Sequence, residues 1–131
     1  METTNLSNLE IQGEKGTYFT PHVSFDAQSG HCLLEGESYL EETWEFYGNL
    51  VTWLRTYAKT GRPIHFDIKL TYFNTSSSKG ILEVLDFLDE YHQQGGTVVL
   101  RWYYPKDDED LLEEAEVFSE DIDLGMEIIP S

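Results

Sequence analysis

Hydrophobic residues recur with two different periods along this chain, and the alternation of these periods predicts an α/β fold. From Leu40 the apolar positions step by four and three, the spacing of one helix face, until Gly61-Arg62-Pro63 ends the pattern. Residues 64–73 then alternate between apolar and polar, as a strand with one buried face does. The helical stripe consists of Leu40, Trp44, Tyr47, Val51, Leu54 and Ala58, and the apolar strand positions are Ile64, Phe66, Ile68, Leu70 and Tyr72.

The rest of the chain continues this order of strands and helices. The other predicted elements are a short strand or arm at 6–12, a turn at 13–16, a hairpin of 23–26 and 32–35, a helix at 76–93, a strand at 97–104, an acidic helix at about 107–122 and a last strand at 126–129. A strand-helix-strand crossover implies at least partly parallel pairing, and strands 64–73 and 97–104 are expected to be parallel neighbours. Each of them has one polar face, so the first two helices are expected to pack on the same face of the sheet.

These elements predict a two-layer α/β sandwich with a mixed sheet and with helices mainly on one face. The 131 residues are expected to form a single domain, 1–131, with an N-terminal arm at about 1–16. Apolar residues make up 40% of the chain and aromatic residues 14%, which is enough for one hydrophobic core.

Charge restricts the classes of partner. The chain has 25 acidic and 8 basic residues, a net charge of -17, and ten of the acids lie between Asp107 and Asp123. Such a surface repels phosphate backbones and anionic lipids, so neither nucleic-acid binding nor membrane insertion is expected. The single cysteine, Cys32, excludes an internal disulfide, and the sequence has no signal peptide or membrane-length apolar run, so a cytoplasmic location is predicted.

Catalytic patterns are weak. The four histidines follow no metal-ligand spacing, and neither a metal, a cofactor nor a catalytic residue is predicted. His65 and Asp67 share one face of a predicted strand, so a small hydrolase or transferase built on this pair is one alternative function. A second alternative is an acidic structural or inhibitory subunit that uses the face of residues 107–123.

Four consecutive hydroxyl residues follow Asn74 where a predicted strand meets a predicted helix. They are Thr75, Ser76, Ser77 and Ser78. Asn, Ser and Thr all cap helices, but one cap is sufficient, so the cluster exceeds what capping needs. A helix N-terminus also stabilises an added phosphate through its free amides and its dipole. The residue pattern alone leaves capping and phosphorylation equally open.

At this segment the sequence resembles the SiaC family of regulatory phosphoproteins. The resemblance is carried by Asn74-Thr75-Ser76-Ser77 at the turn, by Gly36-Glu37-Ser38-Tyr39 and by Leu100-Arg101-Trp102-Tyr103-Tyr104. More distantly the sequence is similar to STAS-type anti-sigma-factor antagonists, which implies a STAS-like fold. It departs from the family pattern in Leu40-Glu41-Glu42, where Pro-Glu-Asn is usual, and in Ser78, where an aliphatic residue is expected.

The resemblance implies a partner-switching protein that is not an enzyme. A serine/threonine protein kinase would phosphorylate Thr75, with Ser76 and Ser77 as alternatives, and a PP2C-type phosphatase would remove the phosphate. The unphosphorylated form would bind an effector protein such as a diguanylate cyclase. The predicted partner-binding residues are Ser38, Tyr39, Tyr72, Phe73, Asn74, Thr75, Ser76, Ser77 and Lys79.

Overall fold

A six-stranded mixed sheet forms the centre of the molecule in the computed structural model, which describes residues 6–16 and 18–131. Its strands lie in the order β1-β4-β5-β6-β7-β8, and β2 and β3 form a separate two-stranded sheet. The strands are β1 Leu9–Ile11, β2 Glu14–Lys15, β3 Phe19–Thr20, β4 His22–Phe25, β5 His31–Ser38, β6 Ile64–Phe73, β7 Val98–Tyr104 and β8 Met126–Pro130; the helices are α1 Trp44–Ala58, α2 Thr75–Gln93 and α3 Glu109–Glu120.

The sheet is antiparallel at one end and parallel at the other. β4 pairs antiparallel with both β1 and β5, whereas β5, β6, β7 and β8 are parallel neighbours. Each parallel connection contains one helix, α1, α2 and α3 in turn. The predicted hairpin and the predicted parallel pairing of the two central strands are therefore confirmed.

The core lies between the sheet and one layer of helices. Trp53 of α1 packs edge-on against Phe25 of β4, and Phe118 of α3 stacks on Trp102 of β7. α2 packs beside α1. The opposite sheet face remains partly open to solvent and carries polar side chains such as His65. The two-layer prediction is confirmed, and of the helices in the described residues none is long and apolar enough to cross a membrane.

The buried face of α1 differs from the predicted stripe. The helix begins at Trp44, four residues after Leu40, and the side chain of Trp44 is 67% exposed. Its buried residues are Tyr47, Leu50, Trp53, Leu54 and Tyr57. A period of 3.6 residues identifies an amphipathic helix, but two adjacent rows of apolar residues fit it here. Packing against α2 and the sheet selects the row that contains Leu50 and Tyr57.

The N-terminal segment also differs from its prediction. Residues 13–16 do not form a turn, since Glu14–Lys15 is a strand that pairs with Phe19–Thr20. The arm is partly a sheet element because Leu9–Ile11 extends the edge of the sheet beside β4. It is also held by the indole N–H of Trp53, which donates to the carbonyl of Ser7 (2.8 Å). Residues 1–5 of the predicted arm lie outside the described part.

A β-bulge near the end of β6 corrects one further prediction. Gly36 pairs with Leu70, but Glu37 pairs with Tyr72, so β6 contains one extra residue, Thr71. A bulge reverses which side chains face each side of the sheet. Tyr72, predicted on the buried face, is therefore 46% exposed, and Phe73 turns inward against Trp102 and Phe118.

Candidate functional site

Asn74 joins β6 to α2 and satisfies the first turn of the helix. Its side-chain oxygen accepts a hydrogen bond from the amide of Ser77 (2.9 Å), the usual contact of an N-cap residue. Its side-chain nitrogen donates to the carbonyl of Leu40 (2.8 Å), and its own amide donates to the carbonyl of Ser38 (3.1 Å). One residue therefore caps the helix and ties it to the end of β5, so the neighbouring hydroxyl groups are not needed as the cap.

The four hydroxyl residues after Asn74 occupy different environments. Thr75 is the first residue of α2 and is exposed, and Ser76 is half-buried. Ser77 is completely buried, and Ser78 donates a hydrogen bond to the carbonyl of Thr75 (2.7 Å). Because a kinase must reach its substrate hydroxyl, Thr75 is the most accessible of the predicted phosphorylation sites, and Ser77 is inaccessible in the folded protein.

Ser77 belongs to a buried hydroxyl network with Ser38 and Tyr47. The Ser38 hydroxyl donates to the Ser77 hydroxyl (2.7 Å), and the Ser77 hydroxyl donates to the Ser38 carbonyl (3.0 Å). The Tyr47 phenol lies 2.7 Å from the Ser38 oxygen and is the donor there, since the Ser38 proton is directed at Ser77. Burial raises the pKa of Tyr47 and so keeps its proton in place. This network fastens β5, α1 and α2 together directly behind Thr75.

The predicted partner-binding residues therefore divide into three groups by their exposure. Ser38 and Ser77 are fully buried, so they position the junction and do not reach its surface. Tyr39, Tyr72, Thr75 and Lys79 are exposed, and Phe73, Asn74 and Ser76 are half-buried. The structure thus brings all of these residues to one end of β5 and β6 and to the start of α2.

An aromatic patch, formed by Tyr18, Phe19, Tyr39 and Tyr72, lies beside this junction. The rings of Tyr39 and Tyr72 are 6.4 Å apart, and Phe19 meets Tyr39 edge-on at the same distance. Tyr18 donates its phenol proton to Glu41 (2.8 Å), which raises the pKa of Tyr18. Tyr18 and Phe19 were not predicted as surface residues of a site, because only the bridge between Phe19 and Tyr39 brings them here.

A groove of about 650 Å³ separates α2 from α3 next to Thr75. Its walls and floor are formed by Phe73, Asn74, Thr75, Ser78, Lys79, Leu82, Asp110, Glu113, Glu114, Val117, Phe118 and Asp121. Phe73, Leu82 and Phe118 give it an apolar floor. Its rim is acidic, and the pKa of Glu114 is raised by partial burial and by the nearby carboxylates of Asp108 and Asp110.

His65 and Asp67, the predicted alternative catalytic pair, lie elsewhere. Both are on the open face of the sheet, where the His65 ring stacks on His31 with 4.9 Å between centroids. Neither residue lines the groove beside Thr75. Their position is that of surface side chains on a half-solvated sheet face.

The fold and the junction together define a small α/β protein with an exposed hydroxyl group at the capped start of a helix. Residues 11–131 match the model of the SiaC family, described as SiaC family regulatory phosphoprotein, and the chain belongs to this family. An uncharacterized protein of Pseudomonas aeruginosa (strain UCBPP-PA14) is 40% identical over 117 residues, which cover 88% of this chain and 90% of that protein.

Solved structures agree with this assignment. The crystal structure of apo-SiaC from Pseudomonas aeruginosa is 37% identical and has a TM-score of 0.82, with 94% of this chain and 98% of that chain covered. A second solved structure is the crystal structure of the diguanylate cyclase SiaD in complex with its activator SiaC, also from Pseudomonas aeruginosa. The SiaC chain in it is 37% identical and has a TM-score of 0.82, with 92% of this chain and 100% of that chain covered. The predicted family and α/β fold are confirmed. The chain is a regulatory protein and not an enzyme, so the hydrolase or transferase alternative is wrong.

Proposed function

We propose that this protein is a phosphorylation switch that binds and activates a diguanylate cyclase while Thr75 is unmodified. The observation that carries the proposal is the position of Thr75, an exposed hydroxyl at the first residue of a helix that Asn74 already caps. The activator role is supported by the SiaC relative that is bound to the diguanylate cyclase SiaD.

Phosphorylation of Thr75 leaves the fold intact in this proposal. A helix N-terminus stabilises negative charge by about 0.3–1 kcal/mol, and the first turn of α2 has no acidic residue to oppose it. The buried network of Ser38, Tyr47 and Ser77 lies behind the modified side chain and does not include it. A serine/threonine kinase would add the phosphate to the exposed hydroxyl, and a PP2C-type phosphatase would remove it.

Phosphorylation of Thr75 weakens effector binding in this proposal. The contact surface in this proposal comprises Thr75 and the exposed part of the aromatic patch, since aromatic side chains often supply most of the energy of an interface. An effector that covers Thr75 must remove the dianion from water, and an unpaired buried charge costs several kcal/mol. A loss of about 2–3 kcal/mol corresponds to roughly a hundredfold weaker binding, enough to turn the interaction off.

The experiment measures the affinity of a diguanylate cyclase from the same host for three forms of this protein. The unmodified protein and Thr75→Ala are expected to bind within a fewfold of each other, and protein phosphorylated at Thr75 roughly a hundredfold more weakly. Ser76→Ala is the matched control and should remain a kinase substrate. Equal binding of the phosphorylated and unmodified forms, or a native phosphate located elsewhere by mass spectrometry, would contradict the proposal.

A further inference from the structure

We propose that the groove between α2 and α3 binds a basic amphipathic helix of a protein partner. This groove would be a second contact surface of the protein. The inference rests on the proposed function only in that this protein acts as a binding module. The occupant is defined by its chemistry: an apolar helix face flanked by Lys or Arg side chains.

Each wall of the groove is one continuous helix face. On α2 the lining residues are Thr75, Ser78, Lys79 and Leu82, and on α3 they are Asp110, Glu113, Glu114, Val117, Phe118 and Asp121. These positions recur at three- and four-residue steps, so the two helices face each other across the gap. α2 packs against α1 along another side, whereas on this side it faces α3 across the groove. A third helix between two such walls is a common mode of peptide recognition.

Apolar residues of the two walls offer an anchoring site for apolar side chains. Val117 is 58% exposed although it follows the buried Ala115 and precedes the buried Phe118 on the same helix. Leu82 is half-buried on the facing wall. Covering these side chains removes apolar surface from water, which is the main favourable term in most protein associations.

Charge selects the kind of helix. Four carboxylates line the groove, those of Asp110, Glu113, Glu114 and Asp121, and among the described lining residues Lys79 alone is basic. The raised pKa of Glu114 reflects partial burial and like-charge repulsion, which a cation from a partner would relieve. A second copy of this chain is a poor occupant because its net charge is -17, and nucleic acid is excluded by the same repulsion.

The first test uses a fluorescein-labelled synthetic helix of about 16 residues, long enough to be partly helical alone, with leucines on one face and lysines beside them. Fluorescence anisotropy should show binding that Glu113→Lys weakens on the order of tenfold. Glu116→Lys makes the same charge change on the same helix at a residue outside the groove, and should change affinity less than about twofold. Equal weakening by both variants would show bulk attraction and overturn the proposal.

Val117→Asn tests the apolar contact without a change of charge. The Val117 side chain is largely exposed, so the variant is expected to fold, as thermal denaturation would show, and to bind the same peptide on the order of tenfold more weakly. Unchanged peptide affinity in a folded Val117→Asn protein would overturn the proposal.

The second test identifies the native occupant by photo-crosslinking in the host. p-Benzoylphenylalanine is placed at Val117 in one strain and at Glu116 in a control strain, and the crosslinked segments are sequenced by mass spectrometry. The expected result is a segment with basic residues and helically spaced apolar residues, captured from position 117 and not from 116. An acidic segment, a second copy of this chain, or no crosslink from 117 would overturn the proposal.

Neither test depends on the phosphorylation switch, so the two proposals can fail separately. A phosphate on Thr75 adds negative charge to the same groove wall. The basic peptide is therefore expected to bind phosphorylated protein at least as tightly as unmodified protein, opposite to the effector. Weaker peptide binding after phosphorylation would contradict the groove proposal while leaving the switch proposal intact.

Discussion

The side chains of Thr75 and Ser77 have similar chemistry but opposite environments. Thr75 is at the solvent side of the first turn, and Ser77, two residues later on the helix, points into the protein toward Ser38. A helix turns by about 100° per residue, so neighbouring residues must face different directions. The rotation of α2 against β5 therefore decides which hydroxyl is exposed to solvent.

Removing the Ser77 hydroxyl should destabilise the protein. In Ser77→Ala the Ser38 hydroxyl loses its acceptor inside the core, and a buried polar group without its partner costs about 1–3 kcal/mol. We expect the free energy of unfolding, measured by urea denaturation, to fall by this amount. Ser76→Ala removes a half-buried hydroxyl on the same turn. Its free energy of unfolding should stay within about 0.5 kcal/mol of that of the unmodified protein. Equal stability of the two variants would show that the network contributes nothing.

Glu114 should give a pH-dependent contribution to stability. Its pKa is raised in the folded protein by partial burial and by Asp108 and Asp110, so the ionised carboxylate is disfavoured there relative to the unfolded chain. Ionised Glu114 therefore lowers the stability of the folded protein at pH 7. This loss of stability disappears as the pH falls through the raised pKa and then below the ordinary value of 4.5. Glu114→Gln should therefore raise the melting temperature at pH 7, and this gain should vanish near pH 4.

The control for this prediction is Glu116→Gln, on the same helix but outside the groove. It removes one charge but leaves the partly buried carboxylate of Glu114 in place. At pH 7 its effect on the melting temperature should be smaller than that of Glu114→Gln. A gain for Glu114→Gln that is constant between pH 4 and pH 7 would contradict the pKa argument.

At the scale of elements, α1 and α2 approach closely because Gly80 has no side chain. A Cβ atom at position 80 would lie 2.9 Å from the Cβ of Tyr47 and closer still to its Cγ and Cδ2. Real Cβ atoms do not approach other atoms this closely, so the helices could not keep their present spacing. This contact also holds the Tyr47 phenol in reach of Ser38.

Two glycine-to-alanine variants test the helix contact with the same chemical change. Gly80→Ala should lower the free energy of unfolding by about 1–3 kcal/mol through overpacking. Gly48→Ala lies within α1, where an added Cβ meets nothing within 4 Å, and alanine is the better helix former by up to about 1 kcal/mol. Thermal or urea denaturation should therefore shift in opposite directions for the two variants, and a shift in the same direction would contradict the packing described here.

The elements also show where periodicity stops being informative. Alternation along residues 64–70 identified the buried face of β6 correctly, because side chains of a regular strand alternate by geometry. It failed at Tyr72 and Phe73, because the extra residue Thr71 reverses the alternation. Nothing in the local pattern distinguishes a bulged strand from a regular one, since the bulge depends on pairing with β5.

For the whole molecule, the dominant electrostatic feature is a net charge of -17 on 131 residues. Only two ion pairs occur in the described residues, Lys15 with Glu37 and Arg101 with Glu127, so most acids are not compensated by contacts. Self-repulsion of this kind weakens the compact state and is screened by salt. The melting temperature should therefore rise between about 0.05 M and 0.5 M NaCl, over which the screening length falls severalfold.

The salt prediction has a simple control. KCl should give the same increase as NaCl, because the effect is one of ionic strength and not of a specific cation. A melting temperature that falls or stays constant with salt would show that the acidic surface does not destabilise the fold.

Local features of the chain were sufficient to predict the element order, the parallel crossovers, and the position of Asn74 and the hydroxyl cluster. These predictions depend on periodicity and on residue types that lie within a few positions of one another. The family resemblance rested on short motifs of the same kind. The hairpin and the helix termini near Gly61 and Gly95 belong to this class as well, since turn residues have local conformational preferences.

The details of the site depended instead on contacts between distant parts of the chain. Ser38 and Ser77 are 39 positions apart and form a buried hydrogen bond, whereas Thr75, two residues before Ser77, is exposed. The aromatic patch and the groove likewise form only when strands and helices from separate segments are placed side by side. Burial is a property of a residue's surroundings in space, so these features were set by packing and were not encoded in any one segment.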